Sequence, residues 1–111
     1  MKLTNLSNIP NKTVNAILAD LGISKANVEL AILINPDLDA HGKCILLEDG
    51  MIVVSLLIDH DIPTLAHELK HAEQFISGLY EWVEVEMALT EYDEQWHEIE
   101  AIEYESKYNA A

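Results

Sequence analysis

A chain of 111 residues, half of them apolar, has room for one hydrophobic core and no second domain. Twenty acidic residues against six lysines give a formal net charge of −14. That charge repels nucleic acid and anionic membrane surfaces and favours metal cations, basic partners or basic peptides. Cys44 is the one cysteine, so an internal disulfide is excluded. The longest apolar run, Met51 to Ile58, is too short to span a bilayer, and Met1 to Pro10 lacks the pattern of a signal peptide. A cytoplasmic location is the expectation.

Asn11 to Leu21 reads as a first helix: Val14, Ile17, Leu18 and Leu21 share one face, and Gly22 is a stop signal. Val28 to Ile34 reads as a strand closed by the turn-forming Asn35-Pro36-Asp37. Lys43 to Glu48 and Met51 to Ile58 read as two more strands. Asp49-Gly50 between them predicts a type I′ hairpin. The apolar runs are nearly continuous, which predicts a sheet of about three strands covered on both faces.

Pro63 suits the first turn of a helix that follows Asp61 or Ile62 and runs from Thr64 to Ser77, with Gly78 at its end. Its apolar stripe is Leu65, Leu69, Ala72, Ile76 and Leu79. Glu81 to Glu91 reads equally as a short strand or an irregular connection. Asp93 to Lys107 reads as a last helix, its apolar members Trp96, Ile99 and Ile102. The expected class is a single α+β domain with a small, mostly antiparallel sheet.

The chemistry concentrates in His67-Glu68-Leu69-Lys70-His71. Two histidines four apart on a helix lie one turn apart on the same face, so both imidazoles reach one ion. Zinc takes neutral imidazole nitrogens at about 2.0–2.1 Å. Glu68 lies about 100° further round, beside the ion rather than on it, where a general base for water belongs. His67, His71 and Gln74 lie opposite Leu65, Leu69 and Ala72 on the helical wheel. A catalytic zinc needs a third protein ligand, and the downstream candidates are His97, Glu98, Glu100, Glu103 and Glu105.

The HExxH string, with the later Glu98-Ile99-Glu100-Ala101-Ile102-Glu103-Tyr104, resembles the small single-domain gluzincin-like zinc metallopeptidases of phages and bacteria. The resemblance covers roughly the second half of the chain. It implies a minimal zincin-like fold, Zn2+ held by His67, His71 and Glu100, and Glu68 as base. Glu103 would orient a histidine or replace Glu100, and Tyr104 or Tyr92 would stabilise the oxyanion. It also implies a peptide or protein substrate extended along the edge strand, and the cytoplasm of a bacterium or a phage-infected cell. The chain departs from the metzincin string HExxHxxGxxH after Gln74.

The remaining residues have plainer readings. His60 reads as a loop or capping residue, His41 as exposed, Cys44 as a small buried hydrophobe, and Trp82 and Trp96 as core or rim. Glu81 to Glu105 holds ten acidic residues and no lysine or arginine, a solvated charged face or an attractor of basic groups. Two other functions fit parts of the sequence: a non-catalytic binding module with a structural metal, and an acidic mimic of nucleic acid that inhibits a DNA-binding enzyme.

Overall fold

The apolar periods of the sequence resolve into one sheet with helices packed on it. The computed structural model describes residues 1–78 and 95–109. Among these, the order is β1 (Lys2–Asn5), α1 (Asn11–Asp20), β2 (Glu29–Ile34), β3 (Gly42–Leu46), β4 (Ile52–Leu56), α2 (Ile62–Ile76) and α3 (Trp96–Ser106). The fold is a small α+β arrangement, and no helix among the described residues is long and apolar enough to cross a membrane.

The sheet order is β1-β2-β4-β3. β1 pairs parallel to β2, β2 parallel to β4, and only β3 with β4 is antiparallel. The expectation of a mostly antiparallel sheet is therefore corrected to a mixed, largely parallel one. The reason is non-local. α1 carries the chain from β1 back to a parallel β2, and β4 inserts between β2 and β3 instead of extending a meander. β1 escapes sequence reading because its four residues alternate between exposed and half-buried around the single apolar Leu3.

The β3–β4 hairpin is present, with a different turn. Leu47 N–H donates to the Met51 carbonyl at 2.8 Å and Gly50 N–H to the Leu47 carbonyl at 2.9 Å. The loop is therefore three residues, Glu48 to Gly50, with a left-handed Gly50 at φ 89°. Asp49 keeps negative φ, so the type I′ expectation fails. A three-residue loop needs one left-handed residue where a type I′ turn needs two.

Leu30, Ile32, Ile52, Val54 and Leu56 point to one face and are at most 1% exposed. They form a single cluster with Val14, Ile17 and Leu18 of α1, Leu65, Leu69 and Ala72 of α2, and Tyr104 of α3. On the other face Lys43 and Ile45 are exposed and Val53 and Ser55 are half-buried. Coverage of both faces, expected from the continuous apolar runs, does not hold among the described residues. The helices share one side, and the second face stays partly apolar and partly open.

α2 begins as its sequence directs. The Asp61 side chain accepts the Thr64 N–H at 3.3 Å and the Thr64 hydroxyl at 2.6 Å, and proline sits in the first turn. The helix is followed by Gly78 at φ 80°. The Glu81–Glu91 segment, Trp82 and Tyr92 lie outside the described residues.

Leu69 is completely buried where α2 meets the sheet. Leu69→Ala is expected to lower unfolding free energy by about 2–5 kcal/mol. Chemical denaturation of the two proteins checks this. A loss near zero would mean that α2 does not pack on the sheet as described.

Candidate metal centre

α2 is buried on two sides. Leu65, Leu69 and Ala72 face the sheet, and the side carrying His67, His71 and Gln74 faces α3. His67 Nε2 and His71 Nε2 both hydrogen-bond the same oxygen, Glu98 Oε1, at 3.1 and 2.7 Å. The rings stand edge to face with centroids 5.0 Å apart. Among the described residues, these three side chains are the group whose ligand atoms converge, all within 4.8 Å of one another.

The outer nitrogens are held as well. His67 Nδ1 bonds Glu105 Oε1 at 2.7 Å, and His71 Nδ1 bonds Gln74 Oε1 at 2.8 Å. Gln74 is 1% exposed, and its amide donates to the His97 carbonyl at 3.0 Å and to Glu100 Oε1 at 3.1 Å. Both rings thus turn Nε2 inward while Nδ1 donates outward, the arrangement that orients metal-binding histidines.

Glu98 therefore takes the place expected of Glu100. The expected ligand is exposed and hydrogen-bonded to Gln74, two bonds from the cluster. Glu103 is exposed, and the histidine-orienting role falls to Glu105. Tyr104 is directed elsewhere: its hydroxyl donates to Asp20 Oδ2 at 2.7 Å and lies 3.2 Å from the Tyr108 hydroxyl, tying α3 to α1. Tyr104 is thus no oxyanion donor in this arrangement, and Tyr92 lies outside the described residues.

Helix geometry explains the exchange. Glu98 and Glu105 are seven residues apart, nearly two full turns, and so share a face. Glu100 lies about 200° from Glu98. The apolar Ile99 and Ile102 suggested the wrong buried face: they are 41% and 48% exposed, while His97, Glu98, Ala101 and Tyr104 are buried. The seven-residue repeat of glutamates around Ala101 was the available signal.

Burial opposes protonation of His67, but bonds to Glu98 and Glu105 and the charge of Glu68 outweigh it and raise its pKa to about 9. Burial likewise opposes protonation of His71, and its bonds to Glu98 and Gln74 raise it overall. Burial alone would raise Glu98, yet the two imidazoles hold it well below the usual carboxylate range. Each ring has an oxygen acceptor at both of its nitrogens, an arrangement that suits the imidazolium form when no metal is bound. Exchanging the two Nε2 protons for one divalent cation leaves the charge unchanged and both Nδ1 bonds in place. The donor set, two imidazoles and a carboxylate, is that of a three-ligand zinc site.

Glu68 is 7% exposed, and its carboxylate makes no hydrogen bond to another described residue. Burial raises its pKa against the opposing charges of His71 and His67. It lies against Gly42 of β3. A Cβ at Gly42 would stand 2.6 Å from Thr64 Cγ2 and 3.0 Å from both Glu68 Cγ and Glu68 Oε2. The absent side chain thus lets β3 approach α2 closely, a role that sequence reading missed. The neighbouring Cys44 is half-buried, and desolvation, then the charge of Glu68, push its thiol well up.

No family model matches the chain, and no curated protein or solved structure matches it.

Gly42→Ala is expected to cost about 1–3 kcal/mol and to displace Glu68, checked by denaturation and by the structure of the variant. An unchanged stability would show that strand and helix are not in close contact. Only the thiolate of Cys44 alkylates, and a raised pKa shrinks that fraction until the pH reaches it. Iodoacetamide labelling at pH 8 is therefore expected to lag behind that of an unstructured cysteine peptide, the gap narrowing as pH rises.

Proposed function

We propose that the protein is a zinc-dependent hydrolase of the HExxH type, a metallopeptidase in which His67, His71 and Glu98 hold the ion and Glu68 is the general base. The observation that carries this reading is a buried carboxylate without a hydrogen bond to another described residue, adjoining three converging metal donors. A zinc ion bound there would supply Lewis acidity to a scissile carbonyl and to the attacking water.

The chain's own residues do the rest. Glu68 takes a proton from the water as it attacks and returns it to the departing amine nitrogen, a transfer favoured by a carboxylate whose pKa is raised. Glu105 and Gln74 keep each Nδ1–H engaged, so both Nε2 lone pairs face inward. Among the described residues β3 is an edge strand of the sheet. An extended peptide can add to that edge beside Gly42 and reach Glu68.

The test is metal content together with peptide hydrolysis. One zinc per chain is expected in the wild type and in Glu100→Gln, and little in Glu98→Gln. Glu68→Gln should keep the metal and lose hydrolysis by about 10²–10⁴-fold. Zinc retained in Glu98→Gln would remove the ligand assignment. Equal hydrolysis by Glu68→Gln would remove the catalytic one, and a metal with no hydrolysis in the wild type would leave a structural site.

A further inference from the structure

Two cavities meet at Glu68. The first, about 460 Å³, is lined by Asp61, Thr64 and Glu105 as well as His41 and Asn109. The second, about 350 Å³, is lined by Cys44, Phe75, Gln74 and Lys43 together with the metal-binding cluster. Ala40, Gly42, His67 and Glu68 line both. Together they form one cleft along the start of β3 and the length of α2, with the reacting groups at its middle. Glu68, nine-tenths buried, lines it from the floor of both halves.

The two halves differ in charge. Besides Glu68, the first carries two carboxylates, Asp61 and Glu105, and no lysine. Each is already hydrogen-bonded, Asp61 by Thr64 and Glu105 by His67, so both are held in position. In the second, the carboxylate other than Glu68 is Glu98, which is engaged with both imidazoles, and the Lys43 ammonium is turned to Asp39, 3.6 Å away. Cys44 and Phe75 make that half the more apolar one. A cationic side chain meets Asp61 and Glu105 in the first half and, in the second, Glu98, whose charge the two imidazoles already take up.

We infer that the cleft selects an extended peptide with a lysine or arginine in the Asp61–Glu105 half and an apolar side chain in the Cys44–Phe75 half, on opposite sides of the scissile bond. This rests on the hydrolase reading above. It goes beyond the general attraction of a −14 chain for cations, because it assigns the preference to one half of the cleft and so makes binding depend on the order of the two side chains.

The test separates order from net charge. Glu68→Gln protein with zinc serves as a receptor that does not turn over. Two fluorescent peptides of identical composition are titrated by polarisation, one with lysine N-terminal to leucine across the central bond and one with the two exchanged. One isomer is expected to bind about five- to tenfold more tightly. Asp61→Asn keeps the helix cap and removes the charge, and should erase most of that difference. Glu48→Gln, the same charge change in the exposed hairpin loop, should leave it intact. Equal binding of the isomers, no binding of either, or a preference that survives Asp61→Asn overturns the inference. Binding with order preference but no wild-type cleavage would sink the hydrolase reading alone.

Discussion

Two imidazoles share a single carboxylate oxygen between α2 and α3, and the orientation of α3 depends on that contact. Glu98 is 8% exposed, and a carboxylate this deep is costly unless it is paired and hydrogen-bonded. The partners sit one turn apart on α2, so α3 must present Glu98 toward them and Glu105 two turns further on. The helix accordingly turns polar groups inward and leaves Ile99 and Ile102 toward solvent. Electrostatic pairing, together with burial of Ala101 and Tyr104, decides which side of α3 is inside. Ala101, fully buried between the two glutamates, keeps the helices close enough for the pairs to form.

The same interaction marks where the sequence is legible. α1, β2, β4 and α2 carry local signals that survive folding: period-three-to-four stripes, β-branched runs, an aspartate cap, glycines past the helix ends. The HExxH pair is local too, and its geometry follows from helix pitch alone. What stayed hidden is relational. Whether β2 pairs with β1 or β3 depends on crossovers that leave no residue pattern. Glu98 was among the candidates, but choosing it over Glu100 required the rotation of α3, and the hydrophobic rule pointed the wrong way. Gly42 carries no local signal of its role, which appears only once Thr64 and Glu68 stand against it.

The mixed sheet has consequences for the cleft. Inserting β4 between β2 and β3 buries the central strands β2 and β4 and leaves β3, among the described residues, at one margin of the sheet. Among the described residues, this places an edge strand in close contact with α2 beside the Glu68 carboxylate. Asp59 adds a second constraint at the start of α2. Its side chain accepts the Asn8 backbone N–H at 3.1 Å and the Asn8 side-chain amide at 2.8 Å, and also the His60 N–H at 2.8 Å. Next to it, His60 adopts φ 66°, unusual for a residue with a side chain. The segment after β1 and the approach to α2 are thereby tied together.

A chain with one thiol has no covalent staple, and a domain of this size has little stability to spare. The clasp from His71 to Glu98 joins positions 27 residues apart, and that from His67 to Glu105 joins positions 38 apart. Chemically these are reversible cross-links. They close long stretches of backbone much as a disulfide would, but they answer to protons and cations instead of to oxidants. A protein built this way keeps its loop closure in a reducing environment, where a sulfur bridge would be lost.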